Sequence, residues 1–127
     1  MQTIEPFLGS FEKRPRIIRE PLTIERNLGE FTGTQKGTFT KYCEENDFDK
    51  ISCKPKNGES IVEIYERANK FLSLLRKRYR DEKILICGHQ IFLNCLQLVL
   101  SGKALEDYYS IKPLENGEIK EFSNSGE

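Results

Sequence analysis

The hydrophobic pattern picks out two amphipathic segments joined by one short apolar run. Ile61, Ile64, Tyr65, Ala68, Phe71, Leu72, Leu75 and Tyr79 recur at helical spacing, which predicts a helix over 60–79 with one buried face. At its head, Ser60-Ile61-Val62-Glu63 reads as a capping box. The serine oxygen accepts an N–H of the first turn, and the glutamate reaches back to the serine N–H. A second helix is predicted over 90–101. Its stripe is Ile91, Cys95, Leu98 and Val99, widened by Phe92 and Leu96, with Gly102 placed for a C-terminal cap. Between the two, Ile84-Leu85-Ile86-Cys87 is too short for a helix and predicts a buried strand over 84–88.

The remaining segments carry weaker patterns. Residues 1–8 read as a helix tail or an irregular lead-in limited by Pro6. Residues 16–19, between Pro15 and Pro21, read as a short strand, and 22–33 as a polar loop. A helix is predicted over 35–46 with Phe39, Tyr42 and Cys43 facing inward, followed by a loop over 47–58. Asn116-Gly117 signals a tight turn, and 118–122 alternates like an edge strand. Helix, strand, helix and strand predict an α/β layered domain occupying residues 1–127. A strand as apolar as 84–87 needs neighbours on both edges and cover on both faces, so this small sheet is short of a central partner.

Composition narrows the class. The chain has 127 residues, 37% hydrophobic and 31% charged, which fits one soluble globular domain. Lys plus Arg equal Asp plus Glu at 20 each, so no overall field draws a nucleic acid. The basic run Arg76-Lys77-Arg78 falls where a helix ends and cations suit its dipole. No signal peptide or membrane span is read. Cys43, Cys53, Cys87 and Cys95 form no C-x-x-C pair and only one histidine is available, which argues against a zinc site. Cys87 and Cys95 fall on apolar faces as small core residues, and the cysteine usage points to a reduced, cytoplasmic protein.

Candidate chemistry centres on that histidine. His89 follows Gly88 at the predicted junction of strand and helix. In open α/β sheets ligands bind at that carboxyl end, and a helix N-terminus offers N–H groups to an anion. Cys87 has no arginine closing a C-x5-R loop, and no G-x-S-x-G or Walker motif occurs.

Gly88-His89 after an apolar run, with Phe92-Leu93 in the next helix, resembles the histidine phosphatase superfamily, also called phosphoglycerate mutase-like. Other pieces agree in order. Residues 22–33 resemble that family's glutamate loop, read L-x-E-x-x-x-G-x-x-x-G with one extra residue after the leucine. Asn57-Gly58-Glu59-Ser60 with Glu63, Arg67 and Phe71 resembles its G-E-S helix, and Leu114-Glu115-Asn116-Gly117 its terminal hairpin. Met1-Gln2-Thr3 resembles the end of its S-x-L-x-R-A-x-Q-T segment.

The resemblance implies a three-layer phosphoglycerate mutase-like domain that acts on small phosphate monoesters through a phosphohistidine, with no metal or cofactor. Glu25 matches the general acid that protonates the leaving oxygen. His89 matches the second histidine of the pocket, which stabilises the transferring phosphoryl group. Arg26 matches a substrate-binding position of the mutase branch. The Gln90 backbone N–H faces the same anion. The nucleophilic histidine of the family's Arg-His-Gly strand has no counterpart in this sequence. By this alignment the chain is N-terminally incomplete. It lacks the central first strand, so activity is impaired and exposed strand edges favour a homodimer. Its ligand would be a small phosphorylated metabolite or inorganic phosphate, with no nucleic acid and no membrane. Two alternatives follow: a non-catalytic phosphate-binding or dimerising module, or a truncated product of an active phosphatase.

Overall fold

The computed structural model describes residues 16–80 and 82–122. Among them the regular elements are helical: α1 (Thr38–Glu45), α2 (Ile61–Arg78) and α3 (Gln90–Leu100). Short 3-10 turns stand at Pro21–Thr23, Gly29–Phe31 and Leu105–Ser110.

The caps written into the sequence form as expected. Ser60 Oγ accepts the Glu63 N–H at 3.2 Å, and Glu63 Oε1 accepts the Ser60 N–H at 3.0 Å. Arg76, Lys77 and Arg78 fill the last turn of α2, at the negative end of its dipole. Past the end of α3, Gly102 takes a φ of +68°. There Gly102 N–H reaches the Val99 carbonyl at 3.2 Å and Lys103 N–H the Leu98 carbonyl at 3.0 Å, a Schellman motif.

The core is the contact of α2 with α3. Ile61, Ile64, Ala68, Phe71 and Leu72 meet Phe92, Cys95, Leu96 and Leu98, and Tyr108 joins them from the last 3-10 turn. The Phe71 and Phe92 rings pack edge to face with centres 5.7 Å apart. Tyr65, Leu75, Ile91 and Val99 are half-buried at the margin of this cluster. Asn94 and Gln97 are buried on α3 as well, so that helix is enclosed on more than its apolar stripe. The Asn94 amide donates to the Tyr108 hydroxyl at 3.4 Å, and Lys120 donates to Gln97 Oε1 at 3.4 Å. A smaller cluster surrounds α1, where Phe39 and Cys43 are buried and Phe31 packs edge-on to Phe39 at 5.0 Å. Tyr42, expected inward, sits at the rim of this cluster and is 42% exposed.

The expected α/β three-layer domain with a small sheet is not found: no strand forms among the described residues. Residues 84–88 run without regular structure, and Ile84 and Leu85 are 41% and 46% exposed. Residues 16–19 and 118–122 likewise form no ladder. The physical reason is that a strand exists only through hydrogen bonds to a neighbouring strand, and apolar composition alone cannot supply them. Cys87, expected in the core, is therefore exposed, whereas Cys95 on α3 is buried. The Asn116-Gly117 turn does form, with Glu118 N–H on the Glu115 carbonyl at 2.9 Å, but no strand follows it. The expectations for residues 1–8, including Met1-Gln2-Thr3, lie outside the described residues.

Candidate functional site

His89 is the N-cap residue of α3, with extended backbone, φ −98° and ψ 160°. Its carbonyl accepts the first helical bond, from Leu93 N–H at 2.9 Å. Its imidazole does not cap the helix, and it stands exposed, as does Gln90 after it. An exposed imidazole therefore lies beside the positive end of an eleven-residue helix whose first N–H groups receive no side-chain cap.

The loop carrying Glu25 and Arg26 reaches the same turn. The Thr23 carbonyl lies 3.7 Å from the place a Cβ would occupy on Gly88. Glu25 is half-buried, and its Oε1 accepts the Arg26 N–H at 2.9 Å. No hydrogen bond or ion pair joins Glu25 to His89. Arg26 is committed to holding backbone. Its Nε donates to the Glu59 carbonyl at 2.8 Å, its Nη2 to the Cys53 carbonyl at 3.3 Å, and its guanidinium lies 4.9 Å from the centre of the Phe39 ring. Burial lowers the pKa of that guanidinium from its ordinary value.

Two residues for which the sequence suggested no role organise the loop. Arg67 and Glu59 form a bidentate pair: Nε to Oε2 at 3.0 Å and Nη2 to Oε1 at 3.2 Å. The remaining nitrogen of Arg67, Nη1, donates to the carbonyls of Leu22 at 2.7 Å and Ile24 at 3.0 Å. Glu59 Oε1 also takes the Asn27 N–H at 2.9 Å. Arg67 thus holds the loop on the N-terminal side of Glu25 and Glu59 holds it at Asn27 on the other, while the Arg67 guanidinium lies 5.7 Å from the centre of the Phe92 ring in the first turn of α3. One side chain therefore ties the glutamate loop to the helix that His89 caps. Sequence spacing would pair Arg67 with Glu63 one helical turn away. Glu63 instead serves Ser60 and Lys54, the latter at 3.3 Å.

A cleft of about 300 Å³ opens beside this pair, lined by Leu22, Glu59, Glu63, Glu66, Arg67 and Lys70. Glu25, Arg26, His89 and Gln90 do not line it. Its charged lining is mixed, with Glu59, Glu63 and Glu66 beside Arg67 and Lys70. No group of three or more His, Cys, Asp or Glu side chains among the described residues is arranged to hold a metal ion. No helix among them is long and apolar enough to cross a membrane.

An imidazole at an uncapped helix N-terminus, next to a glutamate loop held by arginine, has the parts of a phosphate-handling site. In comparison with known proteins, the family model of the histidine phosphatase superfamily (branch 1) matches residues 1–127. The chain belongs to that superfamily. Among curated proteins it is similar to Phosphoserine phosphatase 1 of Hydrogenobacter thermophilus, at 27% identity over 104 residues. The match covers 77% of this chain and 48% of that protein, so the chain spans about half the length of the curated relative it matches. In this histidine phosphatase superfamily member, Arg67 joins the Glu25 loop to α3, and the Thr23 carbonyl of that loop stands near Gly88.

Proposed function

We propose that the chain carries part of a phosphoryl-transfer site for small phosphate monoesters. His89 and the N–H groups at the start of α3, Gln90 included, hold the phosphoryl oxygens. Glu25 gives its proton to the leaving oxygen. Arg26 anchors that loop through the Glu59 and Cys53 carbonyls. The observation that carries this is the placement of His89: an exposed imidazole, unused as a cap, at the head of α3 beside the Glu25 loop.

The covalent step of a phosphohistidine route needs an attacking imidazole in line with the leaving group. His89 is the only histidine in the sequence, and in this reading its role is charge stabilisation. The 127-residue chain by itself therefore binds phosphate and turns over little. Phosphoserine, the substrate named for the curated relative, is the first ester to test.

Titration with inorganic phosphate, followed by the backbone amide signals of Gln90 and Ile91 in NMR spectra, tests the binding half. Saturable shifts are expected, with affinity reduced about tenfold or more in His89→Ala, equal to at least about 1.4 kcal/mol. Unchanged affinity in that variant would remove His89 from the site. Hydrolysis of phosphoserine at an ordinary enzymatic rate would sink the claim of low turnover.

The exposed Ile84 and Leu85 favour a second reading, in which this stretch associates with another copy of the chain. Sedimentation that finds a monomer at every accessible concentration would dismiss it.

A further inference from the structure

Each nitrogen of the Arg67 guanidinium serves the loop that carries Glu25, directly or through Glu59. Nη1 donates to the Leu22 and Ile24 carbonyls at 2.7 and 3.0 Å, which fixes the backbone just before Glu25. Nε and Nη2 grip the Glu59 carboxylate, and Glu59 Oε1 also accepts the Asn27 N–H at 2.9 Å, just beyond Glu25. The Glu25 carboxylate takes part in none of these bonds; its Oε1 accepts the Arg26 N–H at 2.9 Å. A free carboxyl oxygen between anchored neighbours suits a group that must deliver a proton at a set place. The same guanidinium is seated against α3, 5.7 Å from the centre of the Phe92 ring, and Phe92 is fully buried. The Arg67 and Glu59 side chains are only 16% and 22% exposed. The link from the Glu25 loop to the first turn of α3 therefore runs through one planar, shielded group.

We infer, on the reading of the Glu25 loop and the His89 turn as one site, that Arg67 is a positioning residue. It sets the place of the Glu25 carboxylate against the N-terminus of α3, and it acts through Glu25 rather than on the substrate. The fork rather than the charge performs this. A guanidinium presents its donors in fixed directions, so it holds Glu59 along one edge and two carbonyls from its remaining nitrogen. A lysine ammonium keeps the charge but cannot span those partners. The placement has an electrostatic consequence. A carboxylate held near the start of α3 repels a phosphate bound there. Neutralising Glu25 therefore tightens phosphate binding, and the gain shrinks as the loop moves away.

The test is a double-mutant cycle on the full 127-residue chain. Wild type, Glu25→Gln, Arg67→Lys and the double variant are titrated with inorganic phosphate near neutral pH and at low ionic strength. The Gln90 and Ile91 backbone amides report binding. Glu25→Gln is expected to lower the Kd about fivefold beside Arg67 but less than about twofold beside Arg67→Lys. Because lysine keeps the positive charge, the direct pull on phosphate is nearly the same in both backgrounds. A merely structural Arg67 would shift the affinity of both Arg67→Lys chains alike and leave the Glu25 ratio as it was. That result, in chains that stay folded by circular dichroism, would overturn the inference and spare the phosphate site. So would a Glu25→Gln chain that binds phosphate no differently from wild type. Wild type giving no saturable shift at all would remove the site itself, and the role of Arg67 with it. Should Arg67→Lys not fold, Glu59→Gln takes its place, since it loosens the grip on Arg67 and Asn27. There the Glu25 ratio should fall below about threefold, and an unchanged ratio would overturn the inference.

Discussion

Gly29 and Gly58 meet backbone to backbone: a Cβ on Gly58 would stand 2.8 Å from the Gly29 nitrogen, and one on Gly29 would overlap the Lys56 carbonyl oxygen. The contact joins the glutamate loop to the segment entering α2. Glu30 N–H donates to the Lys56 carbonyl at 3.0 Å and Glu59 N–H to the Asn27 carbonyl at 2.7 Å, so the two segments are laced on both sides of the glycines. Gly29 also takes a φ of +53°, where a side chain would be strained.

Alanine at either glycine is expected to push these loops apart. Gly29→Ala and Gly58→Ala should each destabilise the chain by about 3 kcal/mol or more, since backbone on the facing segment must move. Gly33 is the control: its φ is +84°, but nothing lies within 4 Å of its Cβ position. Gly33→Ala should cost only about 1–2 kcal/mol, from conformation alone. Urea unfolding of the three variants checks this, and equal losses would show that the close approach contributes nothing.

Arg67 holds three partners that cannot all be replaced by one other side chain. Its side chain and that of Glu59 are 16% and 22% exposed, so the pair is partly shielded from water. Arg67→Ala is expected to cost about 3 kcal/mol, much of it from leaving Glu59 and the Leu22 and Ile24 carbonyls without their donor. Arg67→Lys keeps the charge but not the fork, and should recover only part of the loss. A double-mutant cycle with Glu59→Gln should give a clear coupling energy. Additive losses would mean that the pair acts as two independent anchors.

Alkaline pH should weaken the α2–α3 core. Burial pushes the Cys95 thiol from an ordinary 9.0 up to about 12. The folded state therefore holds the Cys95 proton more tightly than the unfolded state does. Its contribution to stability is complete below pH 9.0 and is lost progressively as pH rises toward about 12. Cys95→Ala should be less stable near neutrality, because it leaves a small void, yet lose less stability above pH 9. Urea midpoints measured across that range decide it; parallel curves for the two proteins would refute the assignment.

Much of the helical core was legible from spacing. Ile61, Ile64, Ala68, Phe71 and Leu72 on α2, and Phe92, Cys95 and Leu98 on α3, are buried as their intervals predicted. These contacts follow from a repeat that a single helix presents on one face. The run Ile84 to Cys87 misled for the opposite reason. Its composition suits a buried strand, but a strand depends on partners from elsewhere in the chain, and none pairs with it among the described residues.

The candidate site divides along the same line. The chain's own order places His89 directly before an apolar helical stripe, and it does stand at the N-cap position of α3, its imidazole making no cap bond. Ser60 and Glu63 likewise form the cap their spacing implied, and Gly102 closes α3. These features depend on residues a turn or less apart, so local chemistry determines them. Only the tertiary structure could decide that Arg67 reaches back to Leu22 and Ile24, that it pairs with Glu59 rather than Glu63, and that Arg26 holds Cys53. Those bonds join segments distant in sequence, and an arginine's donors are satisfied by whichever carbonyls and carboxylates packing brings within reach.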